Sequence, residues 1–195
     1  MLRILFCMIG LAVVLNGCVI RPPETPAPQE AQDAFWARLQ RLCGRAYTGT
    51  LVQGSPADTA FAGKQLVMHV RQCSDREIRI PFHAGEDRSR TWIATRTEAG
   101  LRLKHDHRHR DGSEDQITQY GGDTADRGTP GRQEFRADAH TAKLIPAAST
   151  NVWTVEVVPG QTFAYALRRE GTDRRFRVEF DLTRTVTPPP APWGY

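Results

Sequence analysis

The residues best suited to chemistry are the histidines of Leu101-Arg102-Leu103-Lys104-His105-Asp106-His107-Arg108-His109. In a strand, successive side chains point to opposite faces. Leu101, Leu103, His105, His107 and His109 then share one side, with Arg102, Lys104, Asp106, Arg108 and Arg110 opposite. The leucines predict that the histidine side begins in the interior. Neutral imidazoles on alternate strand positions, His105 and His107, can converge on one metal ion, and His69 or His83 from other strands would complete a site for zinc or another transition metal. Asp106 points away and is a poor ligand. The competing reading starts from the polar turn Arg110-Asp111-Gly112-Ser113-Glu114-Asp115: there the strand emerges into water, His107 and His109 are exposed, and His105 is a hydrogen-bonded rim residue.

A second constellation places cations on strands that otherwise look buried. Val67 shares its side with His69 and Arg71, and Trp92 shares its side with Ala94 and Arg96. If both sides face an interior, His69, Arg71, Trp92 and Arg96 line a cavity suited to a small anionic ligand, with guanidinium as the bidentate clamp and indole as the apolar wall. Otherwise the arginines end their strands and extend to the surface. Motifs for common catalysis are missing: there is no Gly-x-Ser-x-Gly elbow, His-Glu-x-x-His helix, phosphate-binding loop or dinucleotide fingerprint. No catalytic residue is assigned, and a metal-dependent enzyme using the histidine strand stands as the last alternative.

The elements that position these residues follow an exported leader. Arg3 precedes an apolar run, Ile4 to Leu15, too short to span a bilayer as a helix. The run ends in Leu15-Asn16-Gly17-Cys18, which resembles the lipobox of bacterial lipoproteins. The resemblance implies a signal peptide over 1–17, diacylglyceryl attachment at Cys18 and membrane anchoring. Val19, where an aspartate would resemble the inner-membrane retention signal, favours the outer membrane.

Of four cysteines, Cys7 leaves with the signal and Cys18 carries lipid, so Cys43 and Cys73 are expected to pair as a disulfide in an oxidising compartment. The 26 basic and 22 acidic residues are interleaved, giving a net charge of +4 without a basic stripe, so nucleic acid is not an expected partner.

Residues 18–33, rich in proline (Pro22, Pro23, Pro26, Pro28), read as an extended tether. Asp33 is expected to cap a short helix running to about Leu42, with Phe35, Leu39 and Leu42 on one face. Strands are predicted at 46–53, 65–72, 77–83, 90–97, 101–109, 116–120, 151–158, 162–169 and 174–182. The alternation is clearest in the last pair, where Phe163, Tyr165 and Leu167 face Phe176, Val178, Phe180 and Leu182.

One helix, many short strands and no crossover helices predict a mainly β fold, an antiparallel barrel of about 8–10 strands, with a β-sandwich as the alternative. Over Phe35 to Leu182 this layout is similar in outline to the lipocalin and nitrobindin-like calycin barrels, as architecture only. Their Gly-x-Trp signature is missing, Tyr47-Thr48-Gly49 being a loose substitute. The segment Gly121 to Pro146 lacks periodicity and reads as a lid or elaborate loop. The tail, 188–195, either docks Trp193 and Tyr195 on the single domain of 34–187 or offers a proline-rich ligand to a partner.

The composite expectation is an envelope lipoprotein acting as a non-catalytic binding module for a small anionic ligand or a metal. The alternative is an assembly protein that works through contacts with other envelope proteins.

Overall fold

A computed structural model describes residues 28–56 and 58–195. The expected signal peptide, Cys18 and the tether up to residue 27 lie outside the described residues.

Helix α1 (Pro28–Gln40) leads into strands β1 (Ala46–Gln53), β2 (Leu66–His69), β3 (Gln72–Cys73), β4 (Glu77–Ala84), β5 (Asp87–Thr97) and β6 (Gly100–His107). Strands β7 (Tyr120–Thr124) and β8 (Arg132–Ala137), a short helix α2 (Ala139–Leu144), and strands β9 (Asn151–Val158), β10 (Thr162–Arg169) and β11 (Arg175–Asp181) complete the order. Each strand pairs antiparallel with its neighbours in the sequence β2-β1-β11-β10-β9-β8-β7-β6-β5-β4, and a further β2–β4 pairing closes the ring. The fold is therefore a closed ten-stranded antiparallel β-barrel, with β3 attached to β4 outside it. The sandwich alternative fails at that β2–β4 ladder, which leaves the ring without an open edge.

Period-two alternation builds the wall. Along β11, Phe176, Val178 and Phe180 are buried, while Arg175, Arg177 and Glu179 lie outside. The outer surface is laced by ion pairs across strands, such as Arg177 with Glu156 at 2.7 Å and Arg168 with Glu134 at 2.8 Å. This accounts for the interleaved charges of the sequence.

Helix α1 starts at Pro28, ahead of the expected cap at Asp33. Proline is tolerated in a first helical turn, where its missing N–H is not needed. The last part of the stretch read as tether is therefore helical. Asp33 instead sits inside the helix and accepts two hydrogen bonds from Arg96, each 2.6 Å. Phe35, Trp36 and Leu39 are buried across one end of the barrel. There Gln32 donates to Thr124 Oγ1 at 3.1 Å and Arg38 to the carbonyl of Val157 at 3.2 Å.

The segment read as a lid, Gly121 to Pro146, carries β7, β8 and α2 and completes the wall. The strand expected at 116–120 begins only at Tyr120. Two glycines hide β7 from a pattern search, and both are needed where the chain runs close to its neighbours. A Cβ on Gly121 would stand 2.0 Å from the Leu103 carbonyl oxygen, and one on Gly122 1.5 Å from that of Arg136. Asp138 caps α2 by accepting from the Thr141 N–H at 2.8 Å, and it binds Lys104.

Cys43 and Cys73 form the expected disulfide, with Cα atoms 6.3 Å apart and a sequence separation of 30. It ties the chain leaving α1 to β3. Reduction, or a Cys43→Ala/Cys73→Ala chain, is expected to lower unfolding stability by about 2–4 kcal/mol. A urea midpoint that does not move under reductant would show that the link constrains nothing in the unfolded chain.

Candidate functional site

The end of the barrel opposite α1 holds a cavity of about 150 Å³. Its walls come from the inward faces of β4, β5, β6, β9, β10 and β11. Its rim includes Phe61 and Asp58 from the β1–β2 connection and Tyr120 from β7.

The aromatic wall is a stacked column. Phe61 lies on Phe82 with ring centroids 5.5 Å apart, Phe82 on Trp92 at 4.7 Å, and Trp92 on Tyr165 at 4.4 Å, all within 20° of parallel. Alternation along β4, β5 and β10 turns Phe82, Trp92 and Tyr165 inward. Stacked on one another, these rings form one apolar aromatic wall of the cavity.

Beside this column His105, 3% exposed, sits in a closed hydrogen-bond chain. Its Nδ1 donates to the Tyr120 carbonyl at 3.0 Å, since a carbonyl can only accept. Nε2 of the neutral ring then accepts from the Tyr165 hydroxyl at 2.7 Å. Burial drives the His105 pKa down to about 3, and burial raises Tyr165 well above the usual phenol range. Both imidazole nitrogens are engaged, so His105 has no lone pair to give a metal, and its low basicity makes it a weak proton acceptor at neutral pH.

His107 stands nearer the mouth. Its Nε2 lies 3.1 Å from the Tyr120 hydroxyl, and burial together with Arg90 lowers its pKa to about 4. Burial pushes Tyr120 up to about 12, so the phenol stays protonated and can donate to that nitrogen.

Two guanidiniums complete the mouth. Arg174 forms a bidentate pair with the buried Asp58, at 2.7 and 2.6 Å. Arg90 binds Asp87 through Nη1 at 2.5 Å and lies over the Phe61 ring, 5.1 Å from its centroid. Nε and Nη2 of Arg90 have no hydrogen-bond partner among the described residues, which leaves two donors at the cavity edge.

The structure divides the expected site residues among three places. Trp92, His105 and His107 meet in the cavity. Arg96 shares the inward side of β5 with Trp92, as alternation requires, but stands at the opposite end, paired to Asp33 and 5.3 Å from the Trp36 centroid. It clamps the helix, not a ligand. His69 and Arg71 are on the outer face, because Leu66, Met68 and Val70 take the inward positions in and just beyond β2. His83 is outside as well, between the inward Phe82 and Ala84.

The expected four-histidine metal set is thus split by the barrel wall, and among the described residues no group of three or more His, Cys, Asp or Glu is placed to hold a metal ion. His109 lies beyond the end of β6, in the turn where its N–H bonds the Ser113 carbonyl at 2.8 Å. Asp106 points away from the histidine side as expected, yet it is fully buried under the C-terminal tail.

Sequence reasoning missed Arg90, Tyr120, Tyr165, Arg174 and Asp58 as site residues. Arg90 and Tyr165 were within reach of it: Arg90 shares the parity of Trp92, and Tyr165 lies on the apolar side of its hairpin. Asp58, Tyr120 and Arg174 come from loops or strand ends, where no periodicity operates.

No protein-family model matches the chain, and no curated protein matches its sequence.

Proposed function

We propose that this is a lipid-anchored protein of the bacterial cell envelope, held at the outer membrane through Cys18, whose barrel is a non-catalytic binding module for a small anion. The observation that carries the binding reading is the aromatic-walled cavity of about 150 Å³ with the unpartnered Nε and Nη2 of Arg90 at its edge. A cavity of this size accepts a benzene-sized group. A small cavity walled by aromatic rings favours a compact apolar or aromatic ligand body, and a guanidinium with two free donors favours a carboxylate or similar anion at its mouth end. The anchor rests on the lipobox-like Leu15-Asn16-Gly17-Cys18, and among the described residues no helix is long and apolar enough to cross a membrane.

Benzoate is a suitable first probe, followed by quenching of tryptophan fluorescence from Trp92 and Trp153 in the cavity wall. The expected result is saturable binding, weakened about tenfold or more by Arg90→Met, since a lost charge-assisted hydrogen bond is worth about 1.5–3 kcal/mol. Arg96→Met, at the far end, should leave affinity unchanged. Equal affinity in Arg90→Met and the parent protein would refute the anion-binding reading. Labelling of the cells with radioactive palmitate tests the anchor: incorporation should disappear in Cys18→Ser.

A further inference from the structure

The mouth of the barrel cavity sets two half-buried nitrogen donors side by side. Arg90 on β5 stands directly opposite His107 on β6, one step nearer the mouth than the opposed pair Trp92 and His105. Directly opposed side chains on one face of an antiparallel ladder start from Cβ atoms about 5 Å apart. Both line the same cavity, so the two side chains share one space.

Each is only partly used by its protein neighbours. Asp87 takes Nη1 of Arg90 alone, which leaves the Nε–Nη2 edge, a fork that can grip both oxygens of a carboxylate. Tyr120 Oη takes Nε2 of His107 alone. The phenol has no other acceptor for its proton among the described residues, so it donates to Nε2 and the ring's own proton sits on Nδ1. Burial first, and the charge of Arg90 second, keep that ring neutral.

Arg90 Nε, Arg90 Nη2 and His107 Nδ1 make no hydrogen bond among the described residues. None of the three is among the six side-chain polar atoms that are buried without a partner. All three therefore remain within reach of solvent, and of a ligand at the mouth.

The rest of the lining narrows the class of ligand. Asp58 is its one carboxylate among the described residues, and Arg174 neutralises it through two hydrogen bonds. No carboxylate is left there to meet an ammonium group. Away from the mouth, Phe82, Trp92, Trp153, Leu167 and Phe176 offer apolar surface, and both nitrogens of His105 are engaged.

We propose that His107 is the second arm of an anion clamp: Arg90 grips the ligand's carboxylate through Nε and Nη2, His107 Nδ1–H donates to one of its oxygens, and the site selects a monocarboxylate with a compact, uncharged body. This rests on the anion-binding reading of the cavity and adds to it a residue and a ligand class. A carboxylate offers about four lone-pair sites, enough for all three donors. Arg90 supplies the charge, and His107 fixes the direction without adding a second one.

The test is a titration of the full chain with benzoate in a buffer free of other carboxylates, followed by tryptophan fluorescence. The nitrogen resonances of His107, assigned in the unmodified chain, are followed in parallel. The expected result is that the Nδ1 resonance moves along the same saturation curve as the fluorescence. Affinity should fall about tenfold or more in His107→Phe, which keeps an aromatic ring but removes the donor. Benzamide, similar in shape but uncharged, should bind about tenfold or more weakly than benzoate. Because the resonance is read in the unmodified chain, it decides the matter even if His107→Phe fails to fold. Fluorescence that saturates while the Nδ1 resonance stays still, or equal affinity in His107→Phe with a loss in Arg90→Met, would overturn the clamp and leave the anion-binding reading standing. Benzamide binding as tightly as benzoate, or no benzoate binding at about 10 mM, would overturn both.

Discussion

Gly122→Ala is expected to abolish the native barrel. A Cβ at this position would lie 1.5 Å from the Arg136 carbonyl oxygen and 2.6 Å from its carbon, both backbone atoms of β8. No rotamer change can relieve such a contact. The β7–β8 ladder, in which Gly122 pairs with Ala137, would have to separate. Opening one ladder of a closed ring also exposes two strand edges. A loss of about 4 kcal/mol or more is in the range reached only by severe steric or core defects. The natural comparison is Gly171→Ala, where φ is +74° but nothing lies within 4 Å of the added carbon. That change should cost about 1 kcal/mol, the usual penalty for a left-handed backbone on a residue with a Cβ. Urea denaturation of both variants distinguishes the two cases. A Gly122→Ala protein as stable as the Gly171→Ala protein would mean that β7 and β8 are not apposed in this register.

Stability is expected to fall steeply on acidification from pH 6.5 toward pH 4, before most carboxylates titrate. Burial holds His105 at a pKa of about 3 and both His83 and His107 at about 4, whereas an unfolded chain restores 6.5. Between these values the unfolded state binds protons that the native state refuses. The stabilisation is therefore complete above pH 6.5 and is lost as pH falls toward the folded values. Each histidine contributes a slope of about 1.4 kcal/mol per pH unit, and the three together about 4. Asp58 and Asp87, whose pKa values are lowered against the desolvating effect of burial by hydrogen bonds to Arg174 and Ser55 and to Ser89 and Arg90 respectively, add to the loss only at lower pH.

Urea midpoints at pH 7 and pH 5 measure this directly. His83→Leu should reduce the slope by about one proton, because the Nε2 of His83 has no partner to lose. Equal stability at the two pH values would mean that these imidazoles are charged inside the fold.

Much of the wall was legible because half-buried strands announce themselves. The bounds of β1, β9 and β10 follow directly from their alternation, and the inward side of β11 was readable residue by residue. Cys43 and Cys73 could be paired by elimination of the other two cysteines once export was assumed. The docking of the tail also followed from its aromatic end: the Tyr195 hydroxyl reaches Asp106 at 2.7 Å and takes a hydrogen bond from Arg79 at 2.6 Å. What alternation could not supply was the absolute sense of a strand with polar residues on both sides. In β2, Leu66 and Met68 compete with Val67 and His69, and only closure against β1 and β4 decides that the first pair goes inside.

The sequence by itself determined the class of the fold, the strands with clean alternation, the shared face of His105 and His107, and the covalent link, since alternation is a property of one strand and the cysteine pair followed by elimination. Tertiary structure alone decided which face of β2 and β4 is interior, that Arg96 meets Asp33 instead of a ligand, and that β7 and β8 complete the ring through glycine-permitted contacts. It also brought Asp58 to Arg174. These depend on contacts between distant segments, and a one-dimensional pattern carries no information about which distant carboxylate, carbonyl or strand a side chain will meet once the barrel has closed.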